Sequence, residues 1–150
     1  MSEVEGRLSK LGIELPTSPP AKQVGNLIYT SGQDCRKEGI LAYAGKIGLD
    51  LSVEQGYKAA QITIINNLAV LKDLIGDLDR IKQIVKLLGF VNSADNFVEQ
   101  PYVMNGASDF LEKIFGEKGK HSRSAISSNE LPFLKIQRLC NRRNIFRKIR

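Results

Sequence analysis

Arg123 is the side chain most committed to chemistry in this 150-residue chain. It stands in the stretch Gly-Glu-Lys-Gly-Lys-His-Ser-Arg-Ser-Ala-Ile-Ser, residues 116–127, where a glycine-punctuated basic turn (Gly116 to Lys120) runs into a short alternating segment. That order places the guanidinium near the start of a strand, facing a cleft or a neighbour. A planar guanidinium can hold a carboxylate through two parallel, charge-assisted hydrogen bonds. From residue types alone, an arginine beside two lysines is more often a solvated surface residue than a ligand clamp. His121, the chain's single histidine, lies beside the turn and reads as a surface residue rather than a nuclease base.

Several elements must position this stretch. Val4, Leu8 and Leu11, closed by Gly12, predict a short first helix, and Pro16, Pro19 and Pro20 then force an extended connection. Gly25-Asn26 signals a turn before a strand over Leu27–Ser31, and Ile40–Ala44 is expected to return as the second arm of a hairpin with it. Ser52 and Gln55 form a capping box, and Val53, Tyr57, Ala60, Ile64, Leu68, Leu71 and Ile75 recur at helical spacing up to Gly76. Within Arg80–Val91, the run from Ile84 is apolar on both alternating faces, as in a strand covered on two sides. Two helices cover one face of a sheet, so the other face calls for a partner, most simply another subunit. Pro101 opens a helix that uses Met104, Phe110, Leu111 and Ile114 and stops at Gly116. In the strand over 121–127, period-two alternation puts Arg123, Ala125 and Ser127 on one face and Ser122, Ser124 and Ile126 on the other.

The length fits one domain, with residues 1–20 as an N-terminal extension. That extension is acidic and broken by prolines, unlike a secretory signal or transit peptide. No apolar run is long enough to span a bilayer. Cys35 and Cys140 have neither a CxxC spacing nor a histidine at ligand distance, so neither a zinc site nor a disulfide framework is indicated, and a cytoplasmic location is the expectation. The net charge of +6 is unevenly distributed. Residues 1–133 hold 15 Lys/Arg against 16 Asp/Glu, a net of −1, whereas residues 134–150 hold seven bases and no acid. That tail lacks the aromatic interleaving of a nucleic-acid stacking platform, so nucleic acid is not the expected partner.

The segments Tyr29-Thr-Ser-Gly-Gln33, Gly89-Phe-Val-Asn-Ser93, Gln100-Pro101, Asn105-Gly-Ala-Ser108, Phe115-Gly-Glu-Lys-Gly-Lys-His121 and Arg123-Ser-Ala-Ile126 occur in an order that resembles the reactive-intermediate deaminase family, YjgF/RidA or UK114-like. The resemblance spans roughly residues 24–133 and is nearest to a bacterial branch apart from the characterised deaminases. It implies a chorismate-mutase-like α+β fold of two layers, a mixed β-sheet packed on two helices. It also implies a homotrimer with clefts at the subunit interfaces. Arg123 then corresponds to the arginine that binds the carboxylate of a 2-imino or 2-enamino acid. Ser31 either lines the same cleft or caps a loop at a strand end, and Asn105 corresponds to a cleft asparagine. No metal or cofactor is implied.

The chain departs from that family in particular places. Ala125 stands where the deaminases carry a cysteine. Relatives have about ten more residues between Pro20 and Val24, including an aromatic over the cleft. The family's last strand, with the glutamate thought to orient the hydrolytic water, has no counterpart in residues 134–150, and Glu130 precedes the turn and reads as an exposed loop acid. The joint loss of pattern and acids there reads as a change of reading frame, which translation of the coding DNA in its other frames checks. The functions left open are imine or enamine deamination, a non-catalytic ligand-binding or regulatory trimer, and RNA-directed translation inhibition or endoribonucleolysis.

Overall fold

The structure is a computed structural model that describes residues 2–15 and 21–131. Its elements run α1 (Glu3–Lys10), β1 (Ala21–Val24), β2 (Leu27–Thr30), β3 (Arg36–Lys37), β4 (Ile40–Leu41), α2 (Val53–Ile75), β5 (Lys86–Asn92), α3 (Gln100–Phe115) and β6 (Ser122–Ser128). Short 3-10 turns at Leu78–Arg80 and Gly116–Gly119 follow α2 and α3. The basic tail and the expected last strand lie outside the described residues.

The long helix forms as its sequence dictates. The Ser52 hydroxyl accepts from Gln55 N–H at 3.1 Å while the Gln55 side chain accepts from Ser52 N–H at 2.8 Å, and this reciprocal capping fixes the start of α2. Gly76 ends it with φ 77°, a left-handed conformation open to glycine, and donates to the Lys72 carbonyl at 2.7 Å. The predicted stripe is the buried one: Ala60, Ile64 and Leu68 enter the core with Met104, Phe110 and Ile114 of α3. Tyr57 Oη donates to Asp109 Oδ2 at 2.8 Å and adds a polar tie between the helices, and this bond raises the tyrosine pKa.

The strand partners differ from the expected ones. Strand β2 pairs antiparallel with β1, Val24 opposite Leu27, across the Gly25-Asn26 turn. Ile40 and Leu41 pair instead with Arg36 and Lys37 across Glu38-Gly39, where φ is 51° and 79°. Positive φ at both central residues suits a tight two-residue hairpin, so each strand takes its nearest neighbour and the 31–39 loop never needs to close a longer hairpin. Strand β5 begins at Lys86 rather than at Arg80, which belongs to a 3-10 turn. Among the described residues the strands form three separate two-stranded pairings.

Strands β5 and β6 are parallel and joined through α3, with Leu87 opposite Arg123, Gly89 opposite Ala125 and Val91 opposite Ser127. These residues share the face that packs on α3. Gly89 makes the close approach possible, because a Cβ there would lie 2.2 Å from the Met104 Cε. The opposite face stays open in the single chain, with Leu88 53%, Phe90 55% and Ile126 46% exposed.

Helix α1 belongs to this core. Val4 and Leu8 are buried in it, and Arg7 Nη1 donates to the Ile114 carbonyl at 2.7 Å. Asp79 accepts from the backbone N–H groups of Glu3 and Val4, adding a cap from across the chain to that of Ser2. Glu5 pairs with Lys72 on α2, and the ammonium hydrogen bond holds the Glu5 carboxyl below its ordinary range.

Candidate functional site

Arg123 enters at the start of β6 and reaches back to α3. Its Nη1 donates to Asn105 Oδ1 and to Ser108 Oγ, both at 3.0 Å. Asn105 and Ser108 are three residues apart, so one face of α3 presents both acceptors. That face is turned toward β6 by two contacts at which only glycine fits. A Cβ on Gly106 would lie 2.1 Å from the Tyr57 carbonyl oxygen, and one on Gly119 would lie 2.3 Å from the Leu111 carbonyl oxygen. The first lays α3 directly on α2. The second lays the Gly116–Gly119 turn back on α3.

The second close approach corrects the reading of His121. Rather than standing at the surface, the imidazole is half-buried over α3. Its Nδ1 is 2.6 Å from the Gly119 carbonyl and its Nε2 is 3.0 Å from Ser108 Oγ. The four polar side chains Asn105, Ser108, His121 and Arg123 form one connected group.

The charge of that group is uncompensated. A half-buried arginine ordinarily meets a carboxylate, because the desolvated cation is otherwise costly. All 16 Asp and Glu of the chain lie among the described residues, and none forms an ion pair with Arg123. Both of its partners are neutral. Guanidinium carries five N–H groups, and Nη1 supplies two. The N–H groups of Nε and Nη2 have no partner among the described residues. They form an edge of the right shape for a planar anion.

Ser31 is not part of this group within one chain. It lies exposed just beyond β2, which packs on β1 and α2, and no contact joins β2 to β6. A cleft of about 330 Å³ elsewhere, between α1 and the turn after α3, is lined by acids that are already engaged: Glu3 pairs with Arg7, Asp79 caps α1 and Glu117 pairs with Lys120. Cys35 is buried, and desolvation pushes its thiol pKa up, which opposes a nucleophilic role. Among the described residues no three His, Cys, Asp or Glu are grouped to hold a metal ion, and no helix is long and apolar enough to cross a membrane.

The family model described as "YjgF/chorismate_mutase-like, putative endoribonuclease" matches residues 5–145. The chain belongs to the YjgF family. Among curated relatives of this YjgF-family chain, Protein TCP17 of Trypanosoma cruzi is 38% identical over 138 residues, which cover 87% of this chain and 86% of that protein. Among solved structures, protein Atu1372 of Agrobacterium tumefaciens, described as of unknown function, is 42% identical with a TM-score of 0.82, over 87% of this chain and 85% of that one. A "putative endoribonuclease" of Shewanella oneidensis is 38% identical with a TM-score of 0.85, over 89% of this chain and 93% of that one. The α+β, chorismate-mutase-like fold implied by the sequence is therefore the fold of this YjgF-family chain.

Proposed function

We propose that this protein binds a small carboxylate-containing metabolite on Arg123 and acts as a deaminase of 2-imino or 2-enamino acids. The observation that carries the reading is a half-buried guanidinium with neutral partners and no carboxylate of its own. A ligand carboxylate would supply the missing counter-charge and fix the C2 imine beside it. Water would then add to C2, and collapse of the carbinolamine would release ammonia and a 2-oxo acid. Proton transfers of that kind typically gain about 10²–10⁴-fold from a positioned acid or base. Ala125, in place of the deaminases' cysteine, supports a branch distinct from the characterised enzymes.

The test is hydrolysis of an enzymatically generated 2-imino acid. The wild type should accelerate it, and Arg123→Ala should fall to the uncatalysed rate. Equal rates for the two proteins would sink the deaminase reading. Binding without turnover would select the alternative of a ligand-binding or regulatory protein. The endoribonuclease description of the family and of the Shewanella relative has little to support it in this chain, where residues 1–133 are net −1 and the single histidine is engaged on α3.

A homotrimer belongs to the same proposal. The open stripe of Leu88, Phe90 and Ile126 supports a subunit contact, and Ser31 could then reach the Arg123 site of a neighbouring copy. Phe90→Asp should convert a trimeric mass in light scattering to that of a monomer, and a wild-type monomer would refute the assembly.

A further inference from the structure

We propose that His121 and Ser108 form a positioning relay that sets the plane of the Arg123 guanidinium and leaves its Nε–Nη2 edge as the single bidentate face for an anion. The inference rests on the carboxylate reading of Arg123 and adds the residues that orient it. The direction of each hydrogen bond follows from the groups involved. The Gly119 carbonyl can only accept, so the proton of a neutral His121 sits on Nδ1. Nε2 then presents a lone pair, and at 3.0 Å it accepts the Ser108 hydroxyl proton. With that proton fixed, the lone pairs of Ser108 Oγ are free to receive Arg123 Nη1, also at 3.0 Å.

Asn105 Oδ1 takes the second Nη1 proton. Both protons of one nitrogen lie in the plane of the guanidinium, so two acceptors on that nitrogen define the plane. They also remove Nη1 from ligand binding. The end-on fork, which needs one proton from each Nη, is closed, while the side fork of Nε–H and Nη2–H stays available to two carboxylate oxygens. Fixing the fork before the ligand arrives spares the ordering cost at binding. Without the lone pair of His121 the hydroxyl of Ser108 turns freely among its rotamers, and the plane loses one of its two anchors.

The single histidine makes the relay directly observable in the full-length protein by nitrogen NMR. The imidazole should show a protonated Nδ1 and an unprotonated Nε2, and Ser108→Ala should shift the Nε2 signal. The Arg123 guanidinium protons should be resolved in the wild type and average in His121→Asn, which can keep a bond to the Gly119 carbonyl but does not reach Ser108. In calorimetric titration with pyruvate as a stable 2-oxo carboxylate, Ser108→Ala and His121→Asn should each weaken binding about tenfold, the double variant no further, and Ser108→Thr should restore most of the loss. A proton on Nε2 in place of Nδ1 would overturn the relay, as would wild-type affinity in His121→Asn or fully additive losses. If the wild type binds no pyruvate while the NMR signatures hold, the carboxylate reading fails and the positioning of Arg123 stands.

Discussion

Alanine at Gly106 should cost about 3 kcal/mol of folding stability, the upper end of the range for overpacked cores. The added methyl would sit 2.1 Å from the Tyr57 carbonyl oxygen and 2.8 Å from its carbonyl carbon. Both atoms belong to the backbone of α2, so no rotamer change relieves the clash, and the two helices must move apart. That displacement loosens the shared core around Ile64, Leu68 and Phe110, where dispersion contacts fall off steeply with separation. For a domain of this size the expected drop in melting temperature is roughly 6–12 °C. Gly6 provides the internal control. It lies within α1 with nothing within 4 Å of a built Cβ, so Gly6→Ala should be neutral or stabilising by about 0.5–1 kcal/mol through helix propensity. Denaturant unfolding of the two variants checks both signs, and a Gly106→Ala protein as stable as wild type would refute the close helix contact.

Gly106 also marks where the sequence was informative and where it was not. Helix α2 was readable because capping and periodicity are local signals, and α3 because Pro101 and Gly116 bracket it. The pairing of β2 with β1 was not, since the same run can close a hairpin in either direction and loop entropy decides. Within the site, Arg123 stood out from its residue type and the basic turn before it, Asn105 came through the family resemblance, and the structure brings them together. Ser108 carried no assigned role and His121 read as a surface residue, although two weak signals pointed to them. Ser108 follows Asn105 at helical spacing, and His121 precedes Arg123 by two positions, which is the parity of one strand face. What alternation could not supply was the Gly119 contact that folds the turn onto α3 and turns a surface histidine into a partner of Ser108.

Substitution of Arg123 should separate binding from stability. For Arg123→Ala, affinity for a small carboxylate such as pyruvate should fall by at least about 100-fold, in line with the 2–5 kcal/mol typical of truncating one side of a hydrogen-bonded charge pair. Arg123→Lys should lose about tenfold or more despite its charge, because one ammonium cannot bond Asn105 and Ser108 and still offer two coplanar donors to a carboxylate. The fold should barely respond. Arg123 has no counter-ion to lose, and in the alanine variant water can reach the half-buried Asn105 and Ser108, so unfolding free energy should stay within about 1 kcal/mol of wild type. A residue kept for structure would behave in the opposite way, with stability falling by several kcal/mol and affinity unmoved. Urea unfolding measured beside calorimetric titration distinguishes the two patterns, since an arginine held half-buried without a carboxylate contributes to this protein mainly when a ligand brings one.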